Sequence, residues 1–463
     1  MTLSNRPQDL VERALQESTA DQCIVLVWVS TSANLRWANN TLTTNGLMSA
    51  TRATVASFVA VRDTLTAGVA SGSIGDIDRL LALVAEADAA ADEAAPAEDA
   101  SPLIEGSQGT DWEFPPGATS ISVFEDFAPA LGDAFGRAKS EQRVLYGFVE
   151  HDVTTVYLGS TSGLRLRHEQ PTGHVGITAK SADLSTSAWV GSATRDFKDV
   201  DAIALDAQLS RRLGWADRKI SLESGRYDTV LPPTAVADLQ IYSYWSAAAR
   251  EADDGQSVYS KPGGGTRVGE QLTSAGVHLF SDPSSVGLEC EPFVVSRSSS
   301  SASSVFDNGA SLLRTDWISD GRLEALLQTR HSARETGLDF TPAVDNLSLQ
   351  VDGSAGSLED LVAQVERGLL LTCLWYIRAV DEQTLLLTGL TRDGVYLIEN
   401  GEVTGAVNNF RFNESPIDLL TRFTAASATV PALSREWGDY FPRTAMPALR
   451  VPDFNMSTVS QAS

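Results

Sequence analysis

The chain has 463 residues, with 60 acidic against 35 basic side chains and a formal net charge of −25. This excess of acid argues against a nucleic-acid-binding protein, because such proteins present clusters of Lys and Arg to the phosphates. Hydrophobic residues make up 43% of the chain, and its length allows two or three domains with their own cores.

Composition also bears on the compartment. Cys23, Cys290 and Cys373 lie far apart in the sequence and give no disulfide framework. The N-terminus is typical of a polar helix start and not of a signal peptide, and no apolar run approaches the roughly 20 residues that span a bilayer. Arg far outnumbers Lys beside a high Ala content, which suggests a GC-rich, bacterial genome. We therefore expect a cytoplasmic protein without membrane contact.

The N-terminal half mixes helices and strands. The spacing of apolar residues predicts helices at 7–16, 76–91, 120–137 and 194–213. Strands are predicted at 23–29 and 51–61, and four more between 144 and 180, where apolar and polar residues alternate. The acidic stretch 86–99 is predicted to be a solvated helix end and linker. A helix followed by an antiparallel meander indicates an α+β fold.

The C-terminal half, from about Tyr227, is richer in strands. Asn400-Gly401 between two hydrophobic runs predicts a hairpin, because both residues tolerate a positive φ. Ser415-Pro416 predicts the start of a last helix that runs to Phe423, with the serine oxygen as its cap. The predicted domains are 1–115, an N-terminal α+β domain; 116–226, a middle α+β segment packing on it; and 227–463, a C-terminal β-rich domain.

A family resemblance is carried by the stretch from Asn346 onward. It has a glycine-bearing turn at Gly353, an amphipathic helix into Glu366-Arg367-Gly368, a strand, and a hairpin at 398–402. This order resembles the TldD/PmbA (TldE) family of metallopeptidase-related proteins, strongly over 326–420 and diffusely before that. The resemblance implies a C-terminal metallopeptidase-like domain. It also implies that catalytic, TldD-like members hold zinc with an HExxxH helix upstream of this block.

The corresponding helix here lacks the zinc motif. Aligned on Val230-Leu231, the two histidine positions fall at Ile241 and Ser246 and the glutamate position at Tyr242; no histidine occurs between His174 and His278. None of these side chains replaces an imidazole or activates a metal-bound water. The family's remaining ligand is a cysteine near the C-terminus, and 441–458 contains none. We therefore expect a TldE-type subunit with no catalytic residue, no bound cofactor and no metal ligand.

Other motifs receive simpler interpretations. His168 and His174 imitate a zinc pair, but Pro171 and Gly173 forbid the helix that would bring them together. The isolated His151, His278 and His331 are interpreted as solvated or structurally satisfied rings. Gly263-Gly264-Gly265 is interpreted as a mobile turn, and 296–304, rich in serine, as a flexible loop. The aromatic residues of the degenerate helix, Tyr242, Tyr244 and Trp245, are expected to pack in the core.

Three readings of function stay open. The first is a non-catalytic TldE/PmbA-type subunit of a TldD-TldE zinc metallopeptidase. The resemblance then implies a TldD-like zinc-bearing subunit as partner and an unfolded or leader peptide as substrate, with this chain inactive alone. The second is a free-standing peptide-binding or regulatory protein. The third is a hydrolase that uses Cys373 or Cys290. The family also has a link to DNA gyrase modulation, but the acidic charge argues against direct DNA contact.

Overall fold

The computed structural model describes residues 6–460, and the predicted α+β class is confirmed. Six antiparallel strands form an N-terminal sheet in the order β3-β2-β1-β4-β5-β6. Its strands are β1 Gln22–Ala38, β2 Thr41–Val61, β3 Thr64–Ser73, β4 Arg143–Ser160, β5 Arg165–Ser181 and β6 Ser187–Thr194. Its helices are α1 Pro7–Glu17, α2 Ile77–Glu93, α3 Phe127–Ser140 and α4 Ala202–Trp215, with a 3₁₀ turn at Ile121–Phe124.

The two faces of this sheet have different neighbours. Successive side chains of a strand point to opposite faces. On β1, Val25 packs with α1 and α2, and Leu35 packs with α3 and α4, so the odd-numbered side chains meet the helices. Ile24 on the opposite face packs with Phe293 and Phe306 of the C-terminal half. The second face of the N-terminal sheet is thus turned towards the rest of the chain.

The C-terminal half contains two sheets. The larger has the order β14-β15-β18-β22-β8-β13-β16-β17-β7, with β19 paired to β22, and the smaller has the order β11-β10-β9-β12-β21-β20. The strands are β7 Lys219–Ile220, β8 Gly225–Leu231, β9 Val277–Ser281, β10 Thr315–Ser319, β11 Arg322–Leu323, β12 Leu347–Val351, β13 Arg367–Leu371, β14 Leu374–Asp381, β15 Leu386–Thr391, β16 Val395–Glu399, β17 Glu402–Val407, β18 Phe410–Glu414, β19 Ala425–Ala426, β20 Val430–Ala432, β21 Thr444–Met446 and β22 Leu449–Val459. The helices are α5 Pro233–Trp245, α6 Ala249–Asp253, α7 Arg330–Thr336, α8 Leu358–Val362 and α9 Pro416–Arg422, with a second 3₁₀ turn at Val305–Asp307.

Helix α5 lies in the core that the two C-terminal sheets share. It contacts β20 and β21 of the smaller sheet and β8 of the larger one. The largest hydrophobic cluster of the protein includes Ile241 of α5 together with Leu349 of the smaller sheet and Leu371 of the larger. This position makes α5 the central helix of the C-terminal half.

Several local predictions differ from the structure. The 194–213 helix begins only at Ala202, because Asp201 caps it by accepting from Ile203 N at 3.0 Å and Ala204 N at 2.9 Å. The segment predicted as four strands forms two long ones, β4 and β5. The predicted hairpin is confirmed, with φ of 53° at Asn400 and 80° at Gly401. Helix α9 starts as predicted, but the Ser415 hydroxyl donates to Thr384 O and accepts no hydrogen bond from the first turn of the helix.

The acidic stretch 86–99, which covers the end of α2 and the segment after it, is less solvated than predicted. Asp88 is 7% exposed and accepts hydrogen bonds from the Ser18 hydroxyl, the Thr19 backbone and hydroxyl, and the Ser57 hydroxyl. Asp99 accepts from two hydroxyls of the serine-rich loop. The acidic stretch therefore carries specific contacts between parts of the chain.

The domain boundaries at 115 and 226 remain predictions; the N-terminal sheet takes strands from both sides of residue 115. In the part of the chain that the structure describes, no helix has the length and apolar character needed to cross a membrane.

Candidate functional site

The candidate site is built around α5, where the family's zinc helix is expected. The helix starts directly after β8, and Pro233 at its first position has the φ that a helix start requires. Its buried residues are distributed over all sides, which is typical of a helix within a core. A helix packed in this way holds its side chains in fixed positions.

The three predicted counterparts of the zinc motif all take part in packing or local hydrogen bonds. Ile241 is fully buried in the main cluster. The Tyr242 hydroxyl accepts from Ala379 N of β14 at 3.0 Å, and the Ser246 hydroxyl donates to Tyr242 O at 2.9 Å. A hydrocarbon, a phenol and an aliphatic hydroxyl do not fit zinc, which takes imidazole, thiolate or carboxylate ligands.

The predicted core packing of the aromatic residues holds for part of the cluster. Tyr244 is buried, and its hydroxyl donates to Val344 O at 2.9 Å. Trp245 is 40% exposed and lies edge-on to Trp437, with ring centroids 5.3 Å apart. The C-terminal end of α5 therefore reaches the surface through aromatic rings.

A buried acid on α5 was not predicted from the sequence. Asp238 is fully buried, and its Oδ1 accepts from the Ser434 hydroxyl and from Glu436 N at 2.8 Å. Its Oδ2 has no hydrogen-bond partner among residues 6–460. Burial raises the pKa of Asp238 to about 7. The Trp437 indole donates to the Asp238 carbonyl at 2.9 Å, so this one residue fixes the segment 434–437 against α5.

The segment 434–437 in turn covers the edge of the larger sheet. Glu436 Oε1 accepts a hydrogen bond from Ile377 N at 3.3 Å. The Tyr242 hydroxyl accepts one from Ala379 N of the same edge strand, β14. Burial raises the pKa of Glu436. Two backbone donors that would otherwise face outward from β14 are thus already satisfied by side chains. This edge is closed at those positions to an added strand.

The cysteines and most histidines lack a catalytic setting. All three cysteines are buried, and burial raises the pKa of each thiol to about 12, which disfavours the nucleophilic thiolate. His168 and His174 both lie on β5, six residues apart and therefore roughly 20 Å from each other along the strand. His151 Nε2 donates to Arg195 O at 2.8 Å, and its Nδ1 accepts from the Thr119 hydroxyl.

One histidine has closer acidic neighbours than the sequence suggested. Glu98, His331 and Glu335 place their ligand atoms within 4.8 Å of one another, and they form the one group of this kind among the described residues. Arg250, however, holds both oxygens of Glu98, at 2.7 and 3.1 Å. The guanidinium already neutralises the carboxylate that a cation would need, so we assign no metal to this group.

The comparison with family models identifies the class as metallopeptidase-related. Residues 224–458 match the family model of the PmbA/TldA metallopeptidase C-terminal domain, which covers half of the chain. The chain belongs to the TldD/PmbA family, as the stretch from Asn346 predicted.

Solved structures share the whole fold at low sequence identity. TldE from Thermococcus kodakarensis is 15% identical, with a TM-score of 0.76 over 97% of this chain and 99% of that one. A protein from Thermotoga maritima named as a candidate modulator of a DNA gyrase is 16% identical, with a TM-score of 0.77 over the same shares. A similarly named protein from Bacteroides thetaiotaomicron gives 16% and 0.73 over 98% and 99%. A search of curated proteins gives no match.

Proposed function

We propose that this chain is a non-catalytic TldE/PmbA-type subunit that acts with a TldD-like, zinc-bearing subunit on unfolded or leader peptides. The observation that carries the proposal is the state of α5. Aligned on Val230-Leu231, it corresponds to the zinc helix of catalytic TldD-like members, and the counterpart positions hold Ile241, Tyr242 and Ser246. These three side chains do not activate water through a metal, so the proposed proteolysis requires zinc on another subunit.

An open strand edge supports the handling of an extended peptide. Among residues 6–460, the segment 41–50 of β2 pairs with β1 alone, because β3 begins to pair only at Arg52 and Ile74 N donates to Thr51 O. This segment contains no charged residue and exposes Leu42, Leu47 and Met48. An exposed edge of this kind binds an extended chain by main-chain hydrogen bonds, with apolar side chains alongside. Natural edges are usually blocked by charge or by proline, and this one is not.

The charge and composition support the remaining parts of the proposal. A net charge of −25 disfavours binding to nucleic acid, and the three reduced, buried cysteines suit a cytoplasmic protein. The negative charge of the chain does not oppose the binding of peptides with neutral or mixed charge. We therefore place the complex in the cytoplasm, with a polypeptide as its substrate and no membrane or nucleic-acid partner.

The test is purification of the tagged chain from the cytoplasm of its native host. Native mass spectrometry gives the stoichiometry of the co-purifying chains, and elemental analysis gives zinc per complex. We expect a second chain carrying HExxxH, zinc in proportion to that chain, and cleavage of an unfolded probe, reduced and carboxymethylated α-lactalbumin. Replacing the motif glutamate of the second chain by glutamine should abolish cleavage while the complex persists.

Two outcomes would contradict the proposal. Recovery of this chain alone, without metal or peptidase activity, would favour the free-standing peptide-binding or regulatory protein. Zinc bound stoichiometrically to the isolated chain would show that the assignment of Ile241 and Ser246 to ligand positions is wrong.

A further inference from the structure

A hollow of about 520 Å³ lies between the second face of the N-terminal sheet and the loop 433–439. We call it the Arg435 hollow, after the arginine on its loop side. Its sheet side is formed by the side chains of Arg36, Tyr146, Phe148, His174 and Trp189. The hollow is thus bounded by aromatic rings and basic groups from two distant parts of the chain.

Arg435 stacks between two indole rings, and the charges of Asp238 and Glu436 lie close enough to interact with its own. Its guanidinium carbon lies 3.8 Å from the centroid of the Trp375 ring and 4.7 Å from that of Trp189. Arg435 forms no hydrogen bond or ion pair with any of residues 6–460, and its buried Nε also has no acceptor. Stacking against indole orients a guanidinium without using its N–H donors. The two terminal nitrogens of Arg435, which are neither buried nor hydrogen-bonded to the described residues, are therefore fixed in direction and available.

The electrostatics of the hollow differ from those of the whole chain. Arg36 is exposed and makes no side-chain hydrogen bond or ion pair within residues 6–460. Lys180 lies close by, with its amine 5.9 Å from the Tyr146 ring. Asp439 is the one acid that lines the hollow; its side chain is 81% exposed and lies 3.6 Å from His174 Nε2. The hollow thus presents Arg36 and Arg435, neither of which is hydrogen-bonded or ion-paired to an acid among the described residues, in a chain of charge −25.

We propose that the Arg435 hollow binds a carboxylate carried by an extended peptide. Arginine offers paired N–H donors that match the two oxygens of a carboxylate, and the hydrogen bonds to that charged group are stronger than neutral ones. The aromatic walls suit the apolar stem of an acidic side chain or the last residue of a chain. The proposal rests on the proposed peptide-handling function for the choice of carrier.

The size of the hollow favours a peptide over a folded protein. A volume of about 520 Å³ lies within the range of small-ligand sites, roughly 300–1,000 Å³. A stable interface between folded proteins needs roughly 800 Å² on each partner. The hollow accommodates one or two residues of an extended chain, and the acidic residue of such a chain would be the part recognised.

The experiment measures fluorescence anisotropy on the full-length chain without any partner. The probe is a fluorescein-labelled ten-residue peptide of Ala, Ser and Gly with two central Asp residues and an amidated C-terminus. A second probe replaces both Asp by Asn, and a third is neutral but ends in a free carboxylate. We expect the Asp probe or the free-carboxylate probe to bind at least tenfold more tightly than the Asn probe; which of the two does so identifies the source of the carboxylate.

Variants separate the hollow from general charge effects. Arg435→Gln is expected to weaken the preferred probe about tenfold and to leave the Asn probe unchanged, with Arg435→Lys intermediate because the paired donors are lost. Arg36→Gln, at an exposed position, should give a several-fold loss without any risk to folding. The matched control is Arg62→Gln, which removes the same charge at the far end of β2.

Equal affinity for all three probes would overturn the proposal, and so would equal losses in the Arg435→Gln and Arg62→Gln variants. These outcomes are separate from the fate of the proposed function. If the complex carries zinc but the chain shows no preference for carboxylates, the proposed subunit function is supported and the carboxylate site in the hollow is refuted. If the chain binds the carboxylate probe but purifies without a partner, the carboxylate site is supported and the proposed subunit function is refuted.

Discussion

Replacing Asp238 by Asn tests whether the buried carboxyl on α5 is held in its neutral form. Burial raises the pKa of Asp238 from 3.8 to about 7. One oxygen accepts two hydrogen bonds, from Ser434 and from Glu436 N, while the other has no partner among the described residues. Asn has nearly the same shape and keeps an acceptor oxygen for both donors, but it carries no titratable proton.

The direction of the pH effect follows from the raised pKa. Between pH 3.8 and about 7 the folded protein holds a proton on Asp238 that the unfolded chain releases. The stabilisation from this proton is therefore complete below pH 3.8 and is lost as the pH rises to about 7. At 1.36 kcal/mol per pH unit, the part of this loss between pH 5.5 and 7 amounts to about 2 kcal/mol.

The assay is urea unfolding followed by tryptophan fluorescence at pH 5.5, 6.5, 7.5 and 8.5. As the pH rises from 5.5 to 8.5, the unfolding free energy of the native chain should fall by about 2 kcal/mol more than that of the Asn variant. Most of this change should occur below pH 7.5. Asp254→Asn, which removes an exposed carboxyl, controls for the loss of one negative charge. A difference between Asp238→Asn and the native chain that stays constant from pH 5.5 to 8.5 would refute the reasoning.

Three further predictions concern packing, backbone and a second buried acid. Ile241→Ala should lower the unfolding free energy by about 2–5 kcal/mol, because the side chain is fully buried. EDTA should not shift the urea midpoint of the native chain, and a shift with the chelator would contradict our expectation that α5 binds no metal. Gly401→Ala should destabilise the protein more than Gly353→Ala, since the added Cβ meets Ala363 O at 2.7 Å in the first case and nothing within 4 Å in the second. Both glycines have a positive φ, which costs an alanine about 1–2 kcal/mol at either position. Equal losses of unfolding free energy would therefore refute the steric argument. Although burial acts to raise it, hydrogen bonds lower the pKa of Asp88 from 3.8, so its stabilising contribution is present above pH 3.8 and is lost as the pH falls below that value. Asp88→Asn should therefore be more harmful to stability at pH 7 than at a pH well below 3.8, measured by urea unfolding, and a pH-independent loss would speak against it.

Features that depend on neighbouring residues were predictable from the sequence. The hairpin at Asn400-Gly401 forms because two adjacent residues with positive φ dictate the turn, whatever surrounds them. A helix was expected after Val230-Leu231, and α5 starts there; its correspondence to the zinc helix of catalytic members stays a prediction. The helix at 202–215 was placed too early because the cap at Asp201, not apolar spacing, decides where it begins.

The functional residues that escaped prediction depend on distant contacts. Asp238 gave one signal, an acid in the middle of an apolar helix, which usually implies a partner or a raised pKa. Its donors, Ser434 and Glu436 N, lie almost 200 residues away in the sequence, so nothing local identified them. Arg435 gave no signal at all, since the indoles that orient it come from two separate sheets.

The absence of a metal motif gives α5 a different role in the architecture. The carboxyl of Asp238 anchors Ser434 and Glu436, the two residues that flank Arg435 in the chain. With both neighbours fixed against a helix that is buried on all sides, the arginine can be presented to the hollow without any ion pair of its own. Helix α5 is thus placed to support the recognition that we propose for the hollow, and this support comes from Asp238 and from burial, not from any metal ligand.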